Sequence, residues 1–287
     1  MLRSMLFVPA DSQRKLERSL AVPADALVLD LEDSVLPANK PAAREQVRSH
    51  LGSVADRSRC WVRVNDLASG ELTADLAAVV PVHPAGIVLP KIRGPEDVAI
   101  VGHYLDMLEA EHGIPTGSIK LAVIVTETPS AVLRMGALVE QAHPRIAALL
   151  WGAEDLSSAL RAADPRLPDG RWKPLYEQAR STVLLAAGAL DVPAIDTVFV
   201  DLRNLDALME DCRRSRSDGF AGRVAVHPDQ VPVANAGYAP RPEEIALAHR
   251  IVEAMSEGAG AVAIDGKMYD IPHLKAAQRL LREAVSY

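Results

Sequence analysis

Short apolar runs and longer amphipathic stretches alternate along this chain from its first residues. Met5–Val8 is apolar and stops at Pro9. The pattern returns at Ala26–Leu31, Cys60–Val64, Gly86–Leu89, Leu121–Val125, Ile146–Trp151, Ala194–Val200 and Gly222–Val226. Runs this short, rich in β-branched residues and bounded by turn residues, predict buried strands. The stretches between them follow helical spacing instead. Within Glu96–His112, Val98, Val101, Leu105 and Leu108 recur at intervals of three and four and form one stripe. Helices are likewise predicted from Asp11 or Ser12 to about Leu20, and over Pro41–Leu51, Glu71–Val80, Ala131–Gln141, Tyr176–Leu190 and Asn204–Arg214. Ala163–Pro174 is rich in Pro, Asp and Gly and reads as a long loop or lid.

Eight predicted strands separated by helices imply parallel pairing, and the count points to an α/β fold, a closed (β/α)8 TIM barrel. The rival is an open doubly wound sheet. A dinucleotide-binding sheet of that kind shows a Gly-rich turn after its first strand, and Pro9-Ala10-Asp11-Ser12 has no glycine. The barrel, a catalytic domain over residues 1–231, is therefore preferred. Residues 232–287 form a C-terminal extension. Pro240-Arg241-Pro242 precedes a helix over Glu243–Ser256, and Asp265-Gly266 joins Ala261–Ile264 to Lys267–Tyr269 as a hairpin. A last helix is predicted over His273–Val285.

At 287 residues and 49% hydrophobic content the chain can bury a barrel-sized core. A net charge of −7 argues against nucleic-acid binding, which needs a basic face. Cys60 and Cys212 are the only cysteines, too isolated for a disulfide scaffold or a zinc cluster. No signal-peptide pattern and no membrane-spanning apolar run is found, so a reducing, cytoplasmic setting is expected.

The chemistry collects where strands end. Glu32, Asp33, Arg63, Asn65, Lys91, Glu127, Asp155 and His227 all follow predicted strands, and a barrel of this kind builds its active site there. Each has a local explanation: Arg63 could pair with Asp30 inside the barrel, and Asp155 could cap a helix. Together they place ionised groups at one rim of an apolar core, which is costly unless they are paired or bind something. Glu127 and Asp155 leave adjacent strands, so both can reach one ion. Carboxylates without histidine or cysteine partners suit a hard cation, Mg2+ above all. Zinc gains no support, and no Ser or Cys stands in a nucleophile elbow. Lys91 suits a Schiff base or an ordinary anion contact.

Seven motifs then occur in fixed order: Arg3-Ser4 with Leu6-Phe7-Val8-Pro9, Leu29–Val35, Arg63-Val64-Asn65, Leu89-Pro90-Lys91, Glu127-Thr128-Pro129, Trp151–Leu156 and Val226–Val231. With them the chain resembles the citrate lyase beta-subunit-like branch of the HpcH/HpaI aldolase family, and Asp265–Asp270 continues the likeness into the extension. The resemblance implies a TIM barrel, assembled as a homotrimer or higher homo-oligomer, that breaks or forms a carbon–carbon bond beside a thioester. It implies magnesium on Glu127 and Asp155, with Glu127 also facing substrate, and Arg63 on a substrate carboxylate or carbonyl. Glu32 and Asp33 are candidate catalytic acids beside them. An aspartate contributed by a neighbouring subunit is matched to Asp270, with Asp265 the second choice. Arg223 stands where lysine is common, and Asn204 where an acid is common. Coenzyme A, as part of the substrate, needs a local basic patch, for which Arg14, Lys15 and Arg18 are the candidates; a solvated helix face is the alternative. The leading activity is a free-standing lyase acting on malyl-, citramalyl- or citryl-CoA. The alternatives are a class II pyruvate-type aldolase on free hydroxy-keto acids, or the beta subunit of a citrate lyase complex using an acyl-carrier-protein thioester.

Overall fold

The computed structural model describes residues 2–284 except 257 and 259. The chain divides into two compact units, Leu2–Gly237 and the residues from Tyr238 on. The first holds strands β1 (Ser4–Pro9), β2 (Ala26–Asp30), β3 (Cys60–Arg63), β4 (Gly86–Leu89), β5 (Lys120–Ile124), β6 (Ile146–Leu150), β7 (Ala194–Asp196) and β8 (Gly222–Ala225). They close in sequence order into a barrel, and every neighbouring pair is parallel. The TIM barrel expected from the alternation is the fold observed.

Helices connect the strands: α1 (Gln13–Ser19), α2 (Lys40–Ser53), α3 (Leu72–Val79), α4 (Pro95–Glu111), α5 (Pro129–Leu133), α6 (Met135–Glu140), α7 (Ala153–Ala159), α8 (Pro174–Leu190) and α9 (Leu205–Asp218), with α10 (Gln230–Tyr238) after β8. Proline opens α4, α5 and α8, where its missing N–H costs nothing and its fixed φ suits the first turn. Met5, Val28, Trp61, Val88, Ala122, Ala148, Leu150, Ile195 and Val224 fill the core inside the barrel. Gly86 makes room for the largest of them. A Cβ there would lie 2.2 Å from the Trp61 ring.

Several elements differ from the expected ones. β7 stops at Asp196 rather than Val200 because side chains take over the backbone groups beyond it. Asp196 Oδ1 accepts from the Thr197 N–H at 2.8 Å, and Arg223 donates to the Thr197 carbonyl at 3.1 Å. The single helix expected over Ala131–Gln141 is two, divided at Arg134, whose φ of −109° and ψ of 16° leave the helical region. α7 was foreshadowed only by the reading of Asp155 as a helix cap, and α10 was not expected from the sequence. α10 buries only Val231, Ala234 and Tyr238 as an apolar stripe, and it packs closely: a Cβ on Gly237 would fall 2.4 Å from the Cys212 Cβ. The predicted lid is pinned. Arg166 and Trp172 form a β-bridge, Trp172 is buried edge-on against Trp151 with ring centroids 4.9 Å apart, and the Arg166 guanidinium lies 3.5 Å over the Trp172 ring.

The second unit holds α11 (Pro242–Met255), a hairpin of β9 (Ala261–Ile264) and β10 (Lys267–Asp270), and α12 (Ile271–Ala284). Its turn is Asp265-Gly266 at φ values of 51° and 76°, the two positive angles that a tight hairpin requires. Ala248, Ile251, Met255, Ile264 and Ala277 form its core. The expected helix end at Val285 lies outside the described residues. Among those residues no helix is long and apolar enough to cross a membrane.

Candidate functional site

The alternation of side chains along a strand assembles the site. On β2, Ala26 and Val28 face the barrel interior, and two residues on the same face belongs to Asp30; on β3, Trp61 is followed in the same way by Arg63. The register sets Asp30 directly beside Arg63. Arg63 Nε and Nη2 donate to the two oxygens of Asp30, each at 2.7 Å, and Nη1 lies 2.8 Å from Glu32 Oε2. The pairing with Asp30 that the sequence offered as a local explanation is thus present. One N–H on each of Nη1 and Nη2 remains for another acceptor, since the guanidinium has five. Burial alone would raise the Asp30 carboxyl, but the charge and hydrogen bonds of Arg63 hold it below its ordinary value. Arg63 also lies over the Phe7 ring, 4.8 Å from its centroid.

Beyond this pair the charges do not balance. Lys91 Nζ lies 2.5 Å from Glu32 Oε1, 2.7 Å from Asp33 Oδ2 and 3.7 Å from Asp155 Oδ1. Its backbone N–H donates to Glu127 Oε2 at 2.6 Å. Five carboxylates therefore face two cations, Arg63 and Lys91. Burial, then the charges of Asp155 and Glu32, push the Glu127 carboxyl up to about 8. Burial raises Glu32 as well, against Arg63 and Lys91. The Lys91 ammonium is raised too, which in a lysine favours the charge: burial alone would lower it, but its bonds to Asp33 and Glu32 outweigh that and keep it charged. A lysine so held does not present the neutral amine that Schiff-base chemistry needs.

Glu127 and Asp155 line one cavity of about 250 Å³, together with Arg63, Asp30, Ser34 and an apolar wall of Phe7, Ile124, Leu150, Trp151, Val198 and Val224. Glycine at 152 lets Glu127 in; a Cβ there would lie 2.9 Å from the Glu127 Cγ. Among the described residues no three His, Cys, Asp or Glu side chains are disposed to hold a metal. Four acids line the cavity: Asp30 is committed to Arg63, while Glu127, buried and destabilised as a carboxylate by its neighbours, and Asp155 offer oxygen ligands, with Glu154 next to them. That set fits Mg2+, which takes one or two carboxylates and fills its octahedron with water and substrate oxygens. A divalent cation would also relieve the excess negative charge.

Other expected residues have contacts of their own. Arg14 and Lys15 are on the exposed face of α1. Asp270 belongs to the second unit, ends β10 directly before α12, and lies 2.5 Å from His273 Nδ1. Asp265 is paired through both oxygens with Arg250, at 2.7 and 2.9 Å. Asn204 caps α9, its Oδ1 accepting from the Ala207 N–H at 3.1 Å. Asn65 Nδ2 donates to Asp75 at 2.7 Å and to the Leu31 carbonyl at 3.0 Å, which ties the exit of β2 to α3. Arg223 is buried against Asp211, with both Nη atoms at 3.1 Å from Oδ2.

Sequence reasoning passed over Asp196. It is buried, accepts from Trp151 Nε1 at 2.5 Å and from the Ser215 hydroxyl, and pairs with Arg180 at 3.1 Å. Through Trp151 it steadies one wall of the cavity. The signal that singled out Glu127, an acid closing an apolar strand, was present there too.

Fold and rim together make a TIM barrel with an acidic cluster at the C-terminal ends of its strands. A family model described as HpcH/HpaI aldolase/citrate lyase matches residues 3–228, and a second, described as a C–C bond lyase of the TIM-barrel fold, matches residues 172–287. The chain belongs to the HpcH/HpaI aldolase/citrate lyase family. It is 33% identical over 281 residues to the citrate lyase subunit beta-like protein of Mycobacterium tuberculosis, covering 97% of this chain and 94% of that one. To the mitochondrial citramalyl-CoA lyase of Rattus norvegicus it is 29% identical, covering 99% and 86%. Among solved structures it resembles the M. tuberculosis protein CitE in complex with magnesium, acetoacetate and coenzyme A, with a TM-score of 0.82, 32% identity and coverage of 98% and 97%.

Proposed function

We propose that this protein is a magnesium-dependent lyase that breaks a carbon–carbon bond in a β-hydroxyacyl-CoA thioester. The observation that carries the reading is the convergence of Glu127 and Asp155, over-supplied with negative charge, on one cavity beside Arg63. Relatives that bind magnesium and coenzyme A, or are named for citramalyl-CoA, support the choice of substrate class.

Glu127 and Asp155 would hold the ion. Bound there, Mg2+ supplies Lewis acidity and a template for the substrate's hydroxyl and carboxylate oxygens. The two spare N–H groups of Arg63 clamp a substrate oxygen from the side opposite Asp30. The substrate hydroxyl gives its proton to a rim carboxylate, for which Glu32, raised by burial, is placed between Arg63 and Lys91. The carbinol carbon becomes a carbonyl as its bond to the carbon beside the thioester breaks. That electron pair passes to the thioester enolate, which takes a proton from an acid to leave the shorter acyl-CoA. Asp270 of a neighbouring subunit supplies that acid in a homotrimer, and Arg14 and Lys15 meet the phosphates of coenzyme A.

The test is a coupled assay over malyl-, citramalyl- and citryl-CoA, with and without EDTA. Cleavage of at least one thioester that EDTA abolishes and Mg2+ restores is expected. Turnover of free hydroxy-keto acids alone would move the protein to the aldolase branch, and a requirement for added partner proteins would make it a complex subunit. For the shared site, Glu127→Gln and Asp270→Asn proteins are mixed under conditions of subunit exchange. Hybrid oligomers should regain activity, because some sites then contain both groups. Persistent inactivity after proven exchange places Asp270 outside a shared site.

A further inference from the structure

The ammonium of Lys91 already does, in part, what a metal would do. It reaches Glu32, Asp33 and Asp155, and the backbone N–H of the same residue holds Glu127, so one residue meets four of the rim's carboxylates. Its backbone is held at a φ of 51°, the left-handed region that is unfavourable for a side chain with a Cβ. That conformation directs the N–H at Glu127 while the side chain turns back over β2's exit acids. The fifth carboxylate, Asp30, is committed to Arg63.

We propose that Lys91 is a resident counterion of the acidic rim that competes with a divalent cation for it and so sets the metal affinity. The inference rests on the metal site assigned above. Its physics is charge alone. The ammonium lies 3.7 Å from an oxygen of Asp155, and the backbone amide of the same residue donates to Glu127 Oε2 at 2.6 Å. A divalent ion bound by those two side chains therefore sits within a few ångströms of a like charge, and removing that charge deepens the negative potential the ion meets. Two like charges at such separations repel by about 1 kcal/mol even at the dielectric of water, which converts to roughly fivefold, and a partly buried setting makes the effect larger. A Lys91 that only tied loops together would predict the reverse, since its loss would scatter the ligands.

The experiment is calorimetric titration with Mg2+ alone, without substrate, on the parent, Lys91→Asn, Lys91→Gly and Lys91→Arg. Asn and Gly both accept a positive φ, so neither variant adds backbone strain, and Gly serves where Asn lowers the yield of folded protein. Both neutral variants should bind Mg2+ roughly tenfold more tightly than the parent, while Lys91→Arg stays within about twofold of it. Unchanged or weaker binding in the neutral variants overturns the proposal, as does equal tightening in Lys91→Arg. Absence of saturable binding in the parent and all variants overturns the metal site itself, and this inference with it.

Discussion

The barrel carries a buried ionic cluster at each end, and the two are built on opposite terms. At the N-terminal end, Glu109 of α4 is fully buried and accepts from the N–H groups of Gly117 and Ile119 at 2.7 and 2.9 Å. Arg145 donates to it at 2.9 Å and to the Ile119 carbonyl at 2.8 Å, and also meets Asp106. Burial alone would raise Glu109, but Arg145 and these N–H groups outweigh it and hold the carboxyl low. At the other end Glu127, also buried, receives one backbone N–H and faces Asp155 and Glu32, and its carboxyl rises to about 8. The same residue type in the same fold is satisfied at one rim and left in want of a cation at the other. A barrel's N-terminal face serves stability and its C-terminal face serves chemistry, and here the distinction can be read from the partners of two glutamates.

Substituting each glutamate separates the two roles most sharply. Glu109→Gln takes the buried carboxylate from Arg145, leaving it Asp106 and the Ile119 carbonyl, and should cost about 3 kcal/mol, lowering Tm by roughly 10 °C, with activity per folded molecule unchanged. Glu127→Gln should abolish Mg2+-dependent turnover while leaving the metal-free Tm equal to the parent's or higher, because it removes a crowded charge. Thermal unfolding followed by circular dichroism, with a thioester assay on the same samples, checks both. A Glu127→Gln protein as destabilised as Glu109→Gln would erase the contrast.

The pH dependence of stability should differ in sign. Folded Glu127 keeps its proton from its ordinary value of 4.5 up to about 8, where the unfolded chain has lost it. Its contribution is complete below 4.5 and is lost as pH rises through about 8. The lowered Glu109 contributes above its ordinary value, and that part is lost as pH falls through the depressed one. The metal-free Tm should therefore decline from about pH 4.5 to about 8, and Glu127→Gln should remove that part of the decline. An identical slope in the variant would contradict the crowding of charge at the rim.

The smallest effect concerns α1, which belongs to neither cluster. Reversing Arg14 and Lys15 to Glu should raise KM for CoA thioesters severalfold, more steeply at low salt, and leave Tm within about 2 °C. A KM that does not move relocates the phosphate contact.

Much of this was legible in the order of residues. Periodicity gave the strands, and their number gave the barrel, because eight buried parallel strands have few other ways to cover their edges. The cluster of Glu32, Asp33, Arg63, Lys91, Glu127 and Asp155 was legible for the same reason: all follow strands, and parallel strands deliver their exits to one rim. What could not be read was which acids are satisfied. Asp30 and Glu32 are two residues apart, yet register places one fully on Arg63 and shares the other between Arg63 and Lys91. Nor does spacing reveal that Lys91 turns through a positive φ, or that Trp172 pins the predicted lid on Trp151. These depend on contacts between segments far apart in the chain, which local pattern does not encode.

The most direct test of the account is the Mg2+ dependence of thioester cleavage in Glu127→Gln and Glu109→Gln side by side, measured below the lower of the two Tm values. The account predicts that Glu109→Gln is activated at the parent's Mg2+ concentration and that Glu127→Gln gives no Mg2+-dependent turnover. A Glu127→Gln protein activated by Mg2+ over the parent's range would contradict it.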